Sequence, residues 1–224
     1  MSDLPSPPGS PGSPVAPGSP VAPGSPVAPT PRSRAKADRR QALLGAAAAL
    51  FARSGYNGVS IEDLGAAVGV SGPAVYRHFS GKSAVLAALL VEVSETLVSG
   101  GQAVVADAPD AAGALRALVR FHTDFALSHP NVIRVQDRDL ASLDAADRHR
   151  VRTLQRTYVE LWVRVLGQVH PGVDAQLLRI RAQATFGLLN STPHTLPASP
   201  SGAVRPLLEE MALAALGAGG IARA

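Results

Sequence analysis

The side chains able to do chemistry are concentrated in residues 68–82, VGVSGPAVYRHFSGK, where Tyr76, Arg77, His78 and Lys82 supply a phenol, a guanidinium, an imidazole and an ammonium. A phenol and an imidazole can donate to phosphate oxygens, an ammonium adds a full charge, and a guanidinium matches the paired acceptors of guanine. Just upstream, Arg32, Arg34, Lys36, Arg39 and Arg40 fall within nine positions. That density suits a polyanion; the alternative is a solvated linker that only keeps the chain soluble. The residues leave open whether the thing being positioned is a substrate, a membrane or DNA.

Charge is more informative by place than by total. Residues 1–82 carry eight Lys or Arg against four Asp or Glu, and residues 83–224 carry thirteen against thirteen, so the whole excess of +4 lies in the first part. No cysteine is present, which excludes a disulfide framework, a thiolate metal site and a cysteine nucleophile. The six histidines, at 78, 122, 129, 149, 170 and 194, include no pair three or four apart, as a helix-borne metal site would need. No nucleophile elbow, phosphate loop or dinucleotide fingerprint occurs. The expectation is therefore a non-enzyme without a cofactor. No run of about 18 apolar residues and no signal-peptide order is found, so the expected place is the cytoplasm, with no membrane partner.

The elements that must position these groups are helices. GSPVAP repeats at 12–17, 18–23 and 24–29, and its prolines block helix and sheet, so residues 1–33 are expected to form a disordered, extended tail. From Ala35, Leu43, Leu44, Ala47, Leu50 and Phe51 form a helical stripe that Gly55 stops. Ser60 with Asp63 reads as a capping box for a second helix over about 61–68. Ser71 is expected to cap a third helix that carries Pro73 in its first turn and runs to about Phe79. Gly65, Gly69 and Val75 are spaced for two short helices that cross closely. Further stripes, from Leu86, Leu115, Val151, Leu177 and Leu207 onward, predict helices throughout, and no segment alternates as a strand would. The expected fold class is all-α: a helix-turn-helix domain over 34–82 and a helical domain over 83–224.

Residues 37–90, and most closely Leu50 to Leu90, LFARSGYNGVSIEDLGAAVGVSGPAVYRHFSGKSAVLAALL, resemble the DNA-binding domain of the tetracycline-repressor-like (TetR) family of bacterial transcription regulators. The resemblance implies phosphate contacts from Ser60, Ser71, Tyr76, His78 and Lys82, and base contacts from Gly72, Pro73, Ala74 and Arg77. Ser60 and Ser71 start helices, whose free N–H groups favour an anion. Tyr76 could instead be a half-buried prop and His78 a packed helix-end residue. Where many members carry Lys or Gln this chain has Gly72, and where many carry Gly it has Pro73, so base hydrogen bonding is concentrated on Arg77. The basic run from Arg32 to Arg40 would act as an arm along the duplex.

The same resemblance implies that the remainder binds a small-molecule effector and forms a homodimer. His122, Phe125, Trp162, Gln183 and Phe186 are the pocket candidates, with packed core as the alternative for the large rings. Ala182, Leu189, Leu208, Met211 and Ala215 are the candidates for the dimer interface. Together these expectations describe a ligand-responsive regulator, most simply a repressor on an inverted-repeat operator, released by a mainly apolar effector. The rival is a helical adaptor whose tail binds protein and whose basic run binds acidic lipid.

Overall fold

The computed structural model describes residues 30–195 and 202–217; the expectation of an extended tail falls almost wholly on residues 1–29, outside them. Among the described residues the chain is all-α, with no strand. The helices are α1 (Pro31–Ser54), α2 (Ile61–Ala67), α3 (Gly72–Val75), α4 (Lys82–Ala106), α5 (Ala111–Ser128), α6 (Pro130–Asp139), α7 (Ala145–Val169), α8 (Ala175–Asn190), α9 (Thr192–Thr195) and α10 (Val204–Gly217).

The first helix starts earlier than its apolar stripe. The Thr30 hydroxyl accepts from the Ser33 N–H at 3.2 Å and Pro31 takes the first helical position, so residues 31–33 belong to α1 and not to a tail. A further four residues upstream of Ala35 thus carry Arg32 and Arg34 on a rigid rod. The third helix is shorter than expected: α3 proper ends at Val75, and Tyr76 to His78 continue as tight turns with His78 N–H bonded to the Val75 carbonyl at 2.9 Å. α6 was not foreseen, since its stripe of Val132, Ile133 and Val135 is only ten residues long and directly follows α5.

The α2–α3 crossing follows from glycine. A Cβ on Gly65 would sit 2.7 Å from the Val70 carbonyl oxygen, so only glycine lets the turn close there. Gly69 makes the turn at φ +70, and Val75 is fully buried beneath it. Ser60 and Asp63 form the expected capping box, with Ser60 N–H to Asp63 Oδ2 at 2.8 Å and Asp63 N–H to Ser60 Oγ at 3.0 Å.

Two apolar cores share α4. One gathers Leu43, Phe51, Leu64, Val75 and Leu86 around α1–α4 and α6; the other gathers Leu118, Trp162, Leu166, Leu189 and Leu216 around α5, α7, α8 and α10. Towards the C-terminal end of α4, Gly100 and Gly101 let α5 and α7 approach: a Cβ on Gly101 would fall 2.6 Å from the Tyr158 ring, and one on Gly100 would strike Phe121. α4 is long and apolar enough to cross a membrane, but it is the shared central helix of both cores.

Candidate functional site

The cationic residues come together on one face. Arg32, Lys36 and Arg39 lie at helical spacing along α1, and with Ala74, Arg77 and His78 they line an open cleft of about 550 Å³. The N-terminal part of α1 therefore extends the surface of α3. Tyr76 stands out from it, 56% exposed, and does not prop the helix. Arg77, Pro73 and Ser71 are also exposed. His78 is half-buried, and its pKa is lowered by burial and then by Lys36, Arg39, Arg77 and Arg40 around it. Its Nδ1 is buried without a partner, which suits the neutral tautomer with the proton on Nε2.

Several sequence-derived assignments need correction here. Gly72 is buried against Glu62, whose Oε1 would lie 3.2 Å from a Cβ there, so this residue cannot reach a base. Ser71 makes no side-chain cap bond to α3, leaving its hydroxyl exposed. The Ser60 hydroxyl is already donated to Asp63 at 2.7 Å, which together with the Ser60 N–H holds that carboxyl below its usual range. Lys82 turns inward: its Nζ donates to the Tyr56 carbonyl at 2.9 Å and lies 4.4 Å from the Tyr56 ring centroid. Arg40 likewise turns away from the arm, pairing with Glu92 at 2.5 Å and covering the Phe79 ring at 4.7 Å.

Behind this head, α4, α5, α6, α7 and α8 enclose a chamber of about 240 Å³. His122 lines it while being only 3% exposed. Its Nε2–H donates to Asn190 Oδ1 at 3.1 Å, and the Tyr158 hydroxyl donates to Nδ1 at 3.4 Å, so both ring nitrogens have partners. Burial pushes the His122 pKa down to about 4 against a small opposing effect of Asn190, and burial raises the Tyr158 hydroxyl above the ordinary phenol range. The imidazole and phenol are thus both neutral near pH 7. The rings of Phe125, Tyr158, Trp162 and Phe186 surround the imidazole at centroid distances of 4.9–6.1 Å. Among the described residues, none that lines the chamber is charged.

Of the pocket candidates, His122, Phe125 and Phe186 line this chamber. Trp162 is fully buried behind it, edge-on to Phe186 at 4.9 Å, and belongs to the core. Gln183 is exposed, because the α8 stripe reaches the chamber only from Phe186 onward. Asn190 takes the polar place instead, alongside Ser94, Gln136, Gln155 and Tyr158. The visible sign of these is a polar group interrupting an apolar helix stripe, as Ser94 does in α4. Tyr158 gave no such sign, since its ring continues the α7 stripe.

Residues 43–89 match the family model described as bacterial regulatory proteins, tetR family, and residues 108–194 match the tetracyclin repressor-like C-terminal domain. The chain belongs to the TetR family of transcription regulators. It is 26% identical over 149 residues to the HTH-type transcriptional repressor KstR2 of Rhodococcus jostii, covering 63% of this chain and 73% of that protein. It is 35% identical over 88 residues to the HTH-type transcriptional activator FasR of Mycolicibacterium smegmatis, 39% of this chain and 40% of that one. A solved TetR-family regulator from Bordetella parapertussis superposes with a TM-score of 0.73 at 24% identity, over 80% of this chain and 94% of that one. TetR-family chains are DNA-binding regulators and not enzymes, and this one carries the fold of both their domains.

In this TetR-family chain the outward faces of α8 and α10 differ from those expected. Ala182 and Leu189 are fully buried within the chain's own core, and Leu208 is packed against that core, so none of these forms the outer face. Met211, at 44% exposed, and Ala215 do face outward. The exposed large side chains beside them are Leu177, Ile180 and Leu207, at 42%, 53% and 55%. Asn190 and His194, at and just beyond the end of α8, both make contacts within the chain: Asn190 to His122 and His194 to Asp137 at 3.5 Å.

Proposed function

We propose that this TetR-family chain is a homodimeric repressor of transcription that leaves an inverted-repeat operator when a mainly apolar small-molecule effector binds in the pocket that includes the His122 chamber. The observation that carries the reading is the shared cationic face, in which Arg32, Lys36 and Arg39 of α1 continue the surface of Arg77 and His78. Exposed Tyr76 and Ser71 supply neutral donors to phosphate, and Arg77, the guanidinium on the α3 side of that face, is placed to read guanine. The name of KstR2, a relative matched over a larger share of both chains than FasR, supports repression. The effector is neutral where it meets His122 and Asn190, because a charge there would be buried unpaired.

Dimerisation is supported by the exposed apolar stripes on two packed helices. Leu177 and Ile180 on α8 and Leu207 and Met211 on α10 leave a patch that a second copy would cover. The protein then acts in the cytoplasm, on the nucleoid.

Selection of random duplexes with the purified full chain tests this directly. The expected product is a palindrome whose half-sites are about one helical turn apart, bound less tightly as salt rises. An Ile180→Glu variant should sediment as a monomer and lose the palindromic preference. Recovery of no preferred sequence, with binding to anionic vesicles instead, would sink the reading in favour of a lipid-binding adaptor.

A further inference from the structure

Phe125 is a wall common to two cavities. On one side lies the His122 chamber of about 240 Å³; on the other a cleft of about 460 Å³ opens between α1, α4 and the α5–α6 junction. Sites for small molecules usually measure about 300–1,000 Å³, so the inner chamber alone is small, whereas the two joined, on the order of 700 Å³, fall within the range.

The partition is held lightly. The Phe125 ring is half-buried, with the exposed His129 ring stacked on it at 5.1 Å and 16°, and with His122 at 5.8 Å. Turning the ring displaces a surface imidazole and gives up a partly buried contact at the edge of the α1–α4 core, while that core's buried residues keep their places. The walls beyond it differ in kind from those of the chamber. The outer cleft is floored by Leu44, Gly45 and Ala48 of α1 with Leu89 and Val93 of α4, whereas no α1 residue lines the inner chamber. Ligand confined behind Phe125 never meets the helix that carries the cationic face; ligand that passes Phe125 lies against it.

We propose that Phe125 divides one elongated effector site in two, and that release from DNA is triggered by ligands long enough to carry an apolar chain past Phe125 onto Leu44 and Ala48. The polar end rests on His122 and Asn190. Shorter ligands fill the inner chamber and leave the operator bound. Phe125 therefore separates binding from induction by chain length. This rests on the effector-pocket reading above.

Gly45 supplies the test. A Cβ there meets nothing within 4 Å, the residue is exposed to the cleft, and leucine favours a helical position, so Gly45→Leu projects a side chain into the outer cleft. The probes are straight-chain 1-alkanols from butanol to decanol, whose neutral hydroxyl matches the uncharged inner wall. Trp162 fluorescence reads binding, and anisotropy of the selected operator duplex reads release. All members that bind should change Trp162 emission, and release should begin only above a threshold length. Gly45→Leu should raise the concentration of the longest members needed for release at least tenfold, while operator affinity without ligand and binding of the shortest members change less than twofold. Phe125→Leu should tighten binding of the longest members alone. Release by every bound length, or long-chain release untouched by Gly45→Leu, overturns the two-part site while leaving the effector pocket standing. No Trp162 response and no release at any length overturns both.

Discussion

Arg138, on α6, donates through Nη2 to the main-chain oxygen of Phe51 in the last turn of α1, and its Nη1 reaches the Ala52 oxygen at 3.4 Å. Asp139, 6% exposed, holds the guanidinium from its other side at 3.0–3.1 Å. A cation at a helix C-terminus satisfies orphan carbonyls and complements the dipole. The same helix α6 gives Ile133 and Gln136 to the inner chamber. One rigid element thus walls the pocket at its middle and caps the rod of the reading head at its end.

Replacing Arg138 by Met should therefore cost stability and coupling together. It leaves the Ala52 carbonyl uncapped, takes the second donor from the Phe51 carbonyl, which keeps the Gly55 N–H at 2.8 Å, and leaves the Asp139 carboxylate without its cation, a loss of about 1–3 kcal/mol given that the arginine is itself nearly half exposed. Urea unfolding should show a lower midpoint at an unchanged slope. Effector-driven release should weaken more than operator affinity does, and an unaltered midpoint would remove Arg138 as the strut.

His122 should make stability fall on acidification. Its pKa is depressed to about 4 in the folded chain by burial, against about 6.5 when unfolded. Above pH 6.5 both states are neutral and its contribution is whole. As pH falls from 6.5 to 4 only the unfolded chain takes the proton, and about 3 kcal/mol is lost, levelling off below pH 4. His122→Gln, which keeps an amide near Asn190 but cannot titrate, should flatten that part of the curve. His78, also depressed, titrates in the same direction in both proteins, so the difference between the two curves isolates His122. Parallel curves for wild type and variant would contradict a buried neutral imidazole.

The reading head was legible because its signals are local. The Ser60–Asp63 box, Gly65, Gly69 and the run of α4 leucines each fix a turn or a short crossing by residues close in sequence. What was not legible depends on which way a long side chain swings. Lys82 and Arg40 look like their cationic neighbours in sequence, yet Tyr56 and Glu92, brought in from 26 residues before and 52 after, turn them inward. The chamber was legible only in part for a related reason: His122, Phe125 and Phe186 line it, whereas Trp162 and Gln183 do not. An α8 stripe tells that Gln183, Phe186 and Asn190 share a side, but only the packed neighbours decide where the chamber begins. Buried alanines and leucines look alike in sequence whether their cover is the same chain or another, so nothing marks Ala182 and Leu189 as covered by this chain while Met211 and Ala215 face outward.

Two glycines should respond to alanine with opposite signs. At Gly65 a Cβ would meet the Val70 oxygen at 2.7 Å, so Gly65→Ala must push α3 off α2, at a cost of about 1–3 kcal/mol, and it should weaken operator binding as well. At Gly45 the Cβ enters open space in the middle of α1, and Gly45→Ala should stabilise by about 0.5–1 kcal/mol. Thermal unfolding of both variants under one condition checks the pair, and destabilisation by alanine at Gly45 would mean that the cleft is closed there.

The cations of the head should separate into three behaviours. Arg77 is exposed on the α3 side of the cleft, so Arg77→Ala should cost about 1–3 kcal/mol per lost guanine contact and flatten preference at one base pair in each half-site. Lys36 lies on the same face but on α1, where a point charge can follow the backbone; Lys36→Ala should weaken all sequences alike and lower the salt slope by about one unit per half-site. Lys82 should behave as neither. Because its ammonium holds the Tyr56 carbonyl and ring, Lys82→Met should loosen the join between α1 and α2 and lower the unfolding midpoint, while the salt slope stays where it was. Binding isotherms over a range of salt, on the selected operator and on its single-base variants, measure all three in one experiment. A salt slope that falls with Lys82→Met and not with Lys36→Ala would return Lys82 to the DNA-facing surface and take the α1 face away from it.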